Sequence, residues 1–175
     1  MKLLTLFPAL LASVVIFNVA KAADNVHFSG ALVAEPCTLP DEYSDVQLDF
    51  GSVILKSLYQ YQRTKSLPFT IRLEECDPSL MSLVSVTFEG TPDDQLSTLL
   101  ALDPSSTAKG VAIGLEQSDG TSLDINKNGQ FQQLTQGENT LKFLAYVQIK
   151  PDALTNKSVS AGDFSAIATF KLNYQ

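Results

Sequence analysis

A period of two runs through nearly every apolar stretch after Cys37, and it leaves few architectures open. "DVQLDF" sets Val46, Leu48 and Phe50 on one side of an extended chain. "LPFTIRLEEC" does the same with Phe69, Ile71 and Leu73, and "LVSVTFEG" with Val84, Val86 and Phe88. "TLKFLAYVQI" alternates Leu141, Phe143, Ala145, Val147 and Ile149. Side chains that repeat every second residue share one face of a strand. In "GVAIGLEQSDGTSLDIN", Val111, Ile113 and Leu115 run up to Asp119-Gly120, and Leu123 and Ile125 run back. Asp-Gly between alternating runs marks a hairpin.

Turn residues separate these runs at Thr91-Pro92-Asp93-Asp94, Asp103-Pro104-Ser105-Ser106, Gly137-Glu138-Asn139 and Lys150-Pro151-Asp152. About seven short strands so punctuated predict an all-β fold, an antiparallel sandwich. No window sustains a helical period for three turns. The nearest, "DDQLSTLLAL" at residues 93–102, predicts a turn or two of helix, and the glutamine-rich "GQFQQLTQG" is expected to border a strand.

The leading residues belong to a different category. Lys2 precedes the apolar run "LLTLFPALLASVVIFNVA", and "AKA" puts Ala20 and Ala22 at the small-residue positions of a cleavage site. Residues 1–22 therefore read as a secretory signal peptide. A membrane anchor is the alternative, which Pro8, Asn18 and the cleavage pattern oppose. The expected mature chain, 23–175, holds all nineteen acidic residues and ten basic ones, a charge of −9. Without a basic cluster it suits neither nucleic acid nor anionic lipid, and it has no second run fit to be embedded in a membrane. Two cysteines in an exported chain favour one disulfide, Cys37 to Cys76, over metal or redox chemistry.

Both ends of the mature chain carry strands without local partners. In "NVHFSGALVAEPC", Val26, Phe28, Gly30, Leu32 and Ala34 share a face, yet no hairpin follows. In "GDFSAIATFKLNYQ", Phe164, Ala166, Ala168, Phe170, Leu172 and Tyr174 share a face, Ile167 intrudes on the other, and the sequence stops one residue past Tyr174. A sandwich short of its last strand exposes a groove of apolar side chains and unpaired backbone, an aggregation hazard. The leading strand has the periodicity to fill such a groove, its own or a neighbour's. From periodicity alone it could equally be the first strand of a complete sandwich, as in a self-contained secreted binding domain of the lectin-like kind.

"SGALVAEPC" running into the first cysteine, a second cysteine about 40 residues later, and the ending from Gly162 to the penultimate Tyr174 resemble pilins of the chaperone–usher pathway, of the type 1 and P fimbrial sort. The resemblance covers essentially the whole mature chain. It implies an incomplete immunoglobulin-like β-sandwich lacking its last strand (37–175), preceded by an N-terminal donor-strand extension (23–36). Val26, Phe28, Gly30 and Leu32 would enter a neighbour's groove, Gly30 where backbones approach closely. Phe164, Ala168, Phe170, Leu172 and Tyr174 would line this subunit's own groove, with Gly162 opening that segment. The terminal carboxylate of Gln175 would be held by basic residues of a periplasmic chaperone, and the Cys37–Cys76 bond would tie the first strand to the second. Neighbouring pilin subunits, that chaperone and an outer-membrane usher are the implied partners. The implied destination is an extracellular fimbria supporting cell adhesion, and "SGALVAEPCTL" looks closer to minor or adaptor pilins than to shaft pilins.

Catalytic and metal readings fare poorly. His27 is the only histidine and sits on the leading strand, so neither a Ser-His-Asp arrangement nor a zinc site can be assembled, and no cofactor is implied. "DINKNG", residues 124–129, fits the opening of a calcium loop, but its twelfth position is Thr135 rather than glutamate, and a polar turn explains it better.

Overall fold

The computed structural model describes residues 28–30, 32 and 34–175, so the expected leader and Val26 lie outside the described residues. Within 34–175, seven strands form two sheets: β1 (Leu67–Cys76), β2 (Leu83–Glu89), β3 (Val111–Gln117), β4 (Ser122–Leu123), β5 (Gln132–Gln133), β6 (Gly137–Ile149) and β7 (Thr169–Tyr174). One sheet has the order β1-β6-β3-β4 and the other β5-β2-β7, and every ladder is antiparallel.

The alternation places the core. Ile71 and Leu73 of β1, Val84, Val86 and Phe88 of β2, Ile113 and Leu115 of β3, and Leu141, Phe143 and Val147 of β6 meet between the sheets. Phe69, Phe88 and Phe143 stack there at 5.2–5.8 Å between ring centroids, two of the three contacts edge to face. The expected hairpin turns at Asp119-Gly120, where Thr121 N–H donates to Asp119 Oδ1 and Gly120 adopts φ +86°. Cys37 and Cys76 are joined in a disulfide spanning 39 residues.

Strand β3 is buried on both faces along its whole length, which periodicity does not announce. Every residue of β3 is buried. Its outer face is covered by Leu96, Leu99 and Tyr146. The Tyr146 ring lies so close over Gly114 that no side chain fits there. The Arg63 guanidinium sits 3.5 Å above that ring and bonds the buried Glu116 at 2.8 Å, while Ser66 Oγ donates to the same carboxylate at 2.6 Å.

Three expectations need correction. Residues 93–102 are not helical: Asp93 Oδ1 accepts the N–H groups of Gln95 and Leu96, and Leu100 exchanges backbone bonds with Ile113 at 2.8 and 2.9 Å. Backbone groups engaged with a sheet cannot close helical turns. Short helices appear elsewhere, α1 (Leu55–Tyr61) and α2 (Pro151–Asn156). Both are under three turns and bury one residue each, Leu58 and Ala153, so their periodicity is too brief to read. Pro151, expected in a turn, starts α2, where its fixed φ is already helical.

"DVQLDF", expected as a strand, is extended but belongs to no ladder. "GQFQQLTQG" supplies β5, as expected of a segment bordering a strand.

Candidate functional site

The unpaired "DVQLDF" is one lip of a cleft. Val46, Leu48 and Phe50 turn half-buried toward the core while Gln47 and Asp49 face solvent, so the pattern is that of a strand. Yet no backbone hydrogen bond joins residues 46–50 to another segment among the described residues. The lip ends at Gly51, whose φ of +59° lets its N–H bond Asp49 Oδ1 at 2.7 Å.

The facing lip runs from Phe164 into β7. Its odd-numbered residues spend their backbone groups in one direction. Asp163 O accepts from Thr107 and Ala108 N–H, Ser165 O accepts from Asp103 N–H, and Gln175 exchanges bonds with Leu83. The register from Leu83–Gln175 to Glu89–Thr169 keeps that parity. The N–H and C=O groups of Phe164, Ala166, Ala168, Phe170, Leu172 and Tyr174 therefore point to the opposite edge, where no strand lies among the described residues. Their side chains pack half-buried against the core. Ile167 points outward and is 77% exposed.

Between the lips lies a cleft of about 440 Å³ floored by Phe69, Ile71, Phe88, Leu100, Ile113, Leu115 and Ala145. Phe50 and Phe164 flank one end, their rings 6.1 Å apart. The polar lining is Ser44, Asp45, Gln47 and Ser165, which holds no paired acid and base. What this arrangement can do chemically is bind: it offers a row of unpaired amides and carbonyls above an apolar floor, complementary to an extended chain with apolar residues at every second position.

The site residues expected from sequence divide into four sets. Phe164, Ala168 and Phe170 line the cleft directly. Leu172 and Tyr174 extend its lip toward the far end; burial, and then the negative charge of Glu35, push the Tyr174 phenol above its usual value. Gly162 and Gln175 sit on the paired side. A Cβ at Gly162 would come within 2.9 Å of Ala108 N, and Gln175 O accepts from Ser82 and Leu83 N–H. Of the expected donor residues, Phe28 and Leu32 are 94% and 104% exposed, and nothing stands within 4 Å of a Cβ built on Gly30. Sequence reasoning did not assign Val46, Leu48 and Phe50 to the cleft. Their signal was a clean alternation with no hairpin partner, the same signal that marked the two ends.

The "DINKNG" side chains are engaged elsewhere. Asn126 bonds both backbone groups of Gly90, at 3.0 and 2.9 Å, Asn128 Oδ1 accepts from Thr87, and Asp124 pairs with Lys127. They staple a loop to β2.

A family profile described as "Fimbrial protein" matches residues 26–175. The chain belongs to the fimbrial protein family. Among relatives of this fimbrial chain, an uncharacterized fimbrial-like protein of Escherichia coli, YfcP, is 35% identical, over 87% of this chain and 84% of the relative. The Fimbria A protein of Serratia marcescens is 33% identical, over 95% and 97% of the two chains. The crystal structure of the P pilus rod subunit PapA superposes with a TM-score of 0.69 at 26% identity, covering 81% of this fimbrial chain and all of that one.

Proposed function

We propose that this fimbrial protein is a structural subunit of a bacterial surface fibre, polymerised by exchange of strands between subunits and without catalysis. The observation that carries this reading is the cleft between residues 46–50 and 164–170, apolar below and unpaired along its edge. Residues 23–36 serve as the strand given to a neighbour, after removal of residues 1–22 as a signal peptide. The full exposure of Phe28 and Leu32 supports this role, because two large apolar side chains alternating around a glycine are costly to leave in water. Burying Val26, Phe28 and Leu32 in a partner contributes about 1.5–3 kcal/mol each, and main-chain pairing adds to that. All of it must be lost at once for release, so a seated strand leaves very slowly.

An open apolar cleft is hazardous before assembly, which calls for a temporary occupant. In the reading proposed here a periplasmic chaperone lends that strand, with Phe170, Leu172, Tyr174 and the Gln175 carboxylate as its contacts, and an outer-membrane usher receives the complex. Tyr174 and Gln175 lie at one end of the open edge.

Expression of residues 23–175 with and without a fimbrial chaperone tests the reading. Heat-stable ladders on a denaturing gel, formed only from chaperone-delivered protein, are the expected result. Deleting residues 23–34 should leave a subunit that accepts a donor peptide but cannot extend a chain, and polar residues at Phe170 and Tyr174 should abolish chaperone capture. A stable monomer made in high yield without any chaperone would overturn the proposal in favour of a self-contained binding domain.

A further inference from the structure

The two poles of residues 34–175 are unlike. At one, the disulfide, the turn of residues 77–80 and the end of β7 come together: Asp77 N–H donates to Pro36 O at 2.6 Å, and Leu80 stands half-exposed beside them. The carboxylates there, Glu35, Glu74, Glu75 and Asp77, have no cationic partner among the described residues. At the other pole, α1 and the start of β1 rim a second cleft of about 580 Å³, with Leu58 and Leu67 in its wall. Ile54 and Tyr61 on its rim are each 66% exposed. Lys65 lines it, Lys56 lies on α1, and Lys157 caps α2, after which Val159 N–H bonds Tyr59 Oη of α1. These three exposed lysines have no carboxylate partner among the described residues, in a chain whose net charge is −7. Phe50 lines both clefts, so the second continues the first.

The direction of an incoming strand follows from the ladders. All of them are antiparallel, and a strand added beside β7 in the same sense runs from Tyr174 toward Phe164. It leaves the cleft at the Phe50–Phe164 end. Four residues separate Leu32 from Cys37, and a chain advances at most 3.3–3.6 Å per residue, so the donor's Cys37 stays within about 18 Å of its seated Leu32. The donor's acidic pole is thereby brought to the acceptor's lysine-rimmed cleft. A parallel strand would instead drive acidic pole against acidic pole.

We propose, resting on the strand-exchange reading above, that the second cleft docks the body of the donating subunit, here a second copy of this chain. Leu80 of that copy covers the apolar rim at Ile54 and Tyr61. Its Glu35, Glu74, Glu75 and Asp77 face Lys56, Lys65 and Lys157. The contact steers the donor before its strand is seated and sets the angle between successive subunits, a role for charge that acts on rate more than on final affinity.

The test compares two donors on the same chaperone-bound full chain: a peptide of residues 23–34, which has the strand without the acidic pole, and the whole mature chain. With Lys56→Glu, Lys65→Glu and Lys157→Glu combined, self-assembly at low salt is expected to slow by about tenfold or more, an effect that fades at high salt. Peptide uptake by the same variant should stay within about twofold of the parent. Adding Glu35→Lys, Glu75→Lys and Asp77→Lys to that chain should restore self-assembly. Unchanged self-assembly of the lysine variant, or equal slowing with the peptide, overturns the docking proposal alone. Failure of the parent to take up the peptide at all overturns the strand-exchange reading, and the docking proposal with it.

Discussion

The two flanks of this sandwich are both built on alternating residues and end in opposite states. On the outer face of β3, Ala112, Gly114 and Glu116 are sealed under Tyr146, Leu99 and the Arg63 guanidinium. Along the other flank, Val46, Leu48 and Phe50 face Phe164, Ala166 and Ala168 across a gap that no described strand fills. Both turn alternate residues inward, small or polar ones fully buried on the β3 flank and larger apolar ones half-buried along the cleft. What differs is whether the backbone beside them has a partner. A flank with apolar side chains and satisfied amides is a core; the same flank with unpaired amides is a binding site.

Truncating a phenylalanine on each side is the strongest way to break this comparison. Phe143→Ala, 1% exposed between Phe69 and Phe88, should cost about 3–5 kcal/mol in denaturant unfolding of the complemented subunit. Phe164→Ala, on the open lip, should weaken donor-peptide capture by about tenfold or more and lower that stability far less. Equal stability losses would mean that the lip is ordinary core.

Gly114→Val probes the sealed flank at its tightest point. Its side chain meets the Tyr146 ring, so about 1–3 kcal/mol should be lost, with donor capture unaffected when measured on the folded fraction.

Glu116→Gln is the smaller test and carries a pH signature. Its hydrogen bond from Arg63 holds the Glu116 carboxyl below its usual value, against the opposing effect of burial. A lowered folded value means stabilisation that is complete above the unfolded value near 4.5 and is lost as pH falls through the lower one. The variant should therefore be less stable by about 1–2 kcal/mol at neutral pH, allowing for the part-exposed Arg63. Thermal melts of the two proteins should converge in acid. A constant difference down to acid pH would show that the carboxylate charge contributes nothing to sealing this flank.

Smallest of all, Asp124→Asn should change stability by no more than about 0.5 kcal/mol, since its partner Lys127 is largely exposed.

Much of this was legible in residues alone. The alternations beginning at Phe69, Val84, Val111 and Leu141 became β1, β2, β3 and β6, because a strand that buries one face must place apolar side chains at every second residue. The Asp119-Gly120 turn was equally readable, since its backbone conformation depends on the local residues. Phe164, Ala168 and Phe170 could be placed on one face for the same reason. Tertiary structure decided everything that depends on what lies beside a strand. Periodicity shows that Val46, Leu48 and Phe50 have a buried face, but a hydrogen-bond partner comes from anywhere in the chain, or from another chain. It was likewise silent on Tyr146 closing over Gly114, on Leu100 pairing with Ile113 where a helix was expected, and on Tyr59 of α1 bonding Val159 just after α2. Those are contacts between residues far apart in sequence, and only a folded backbone brings them together.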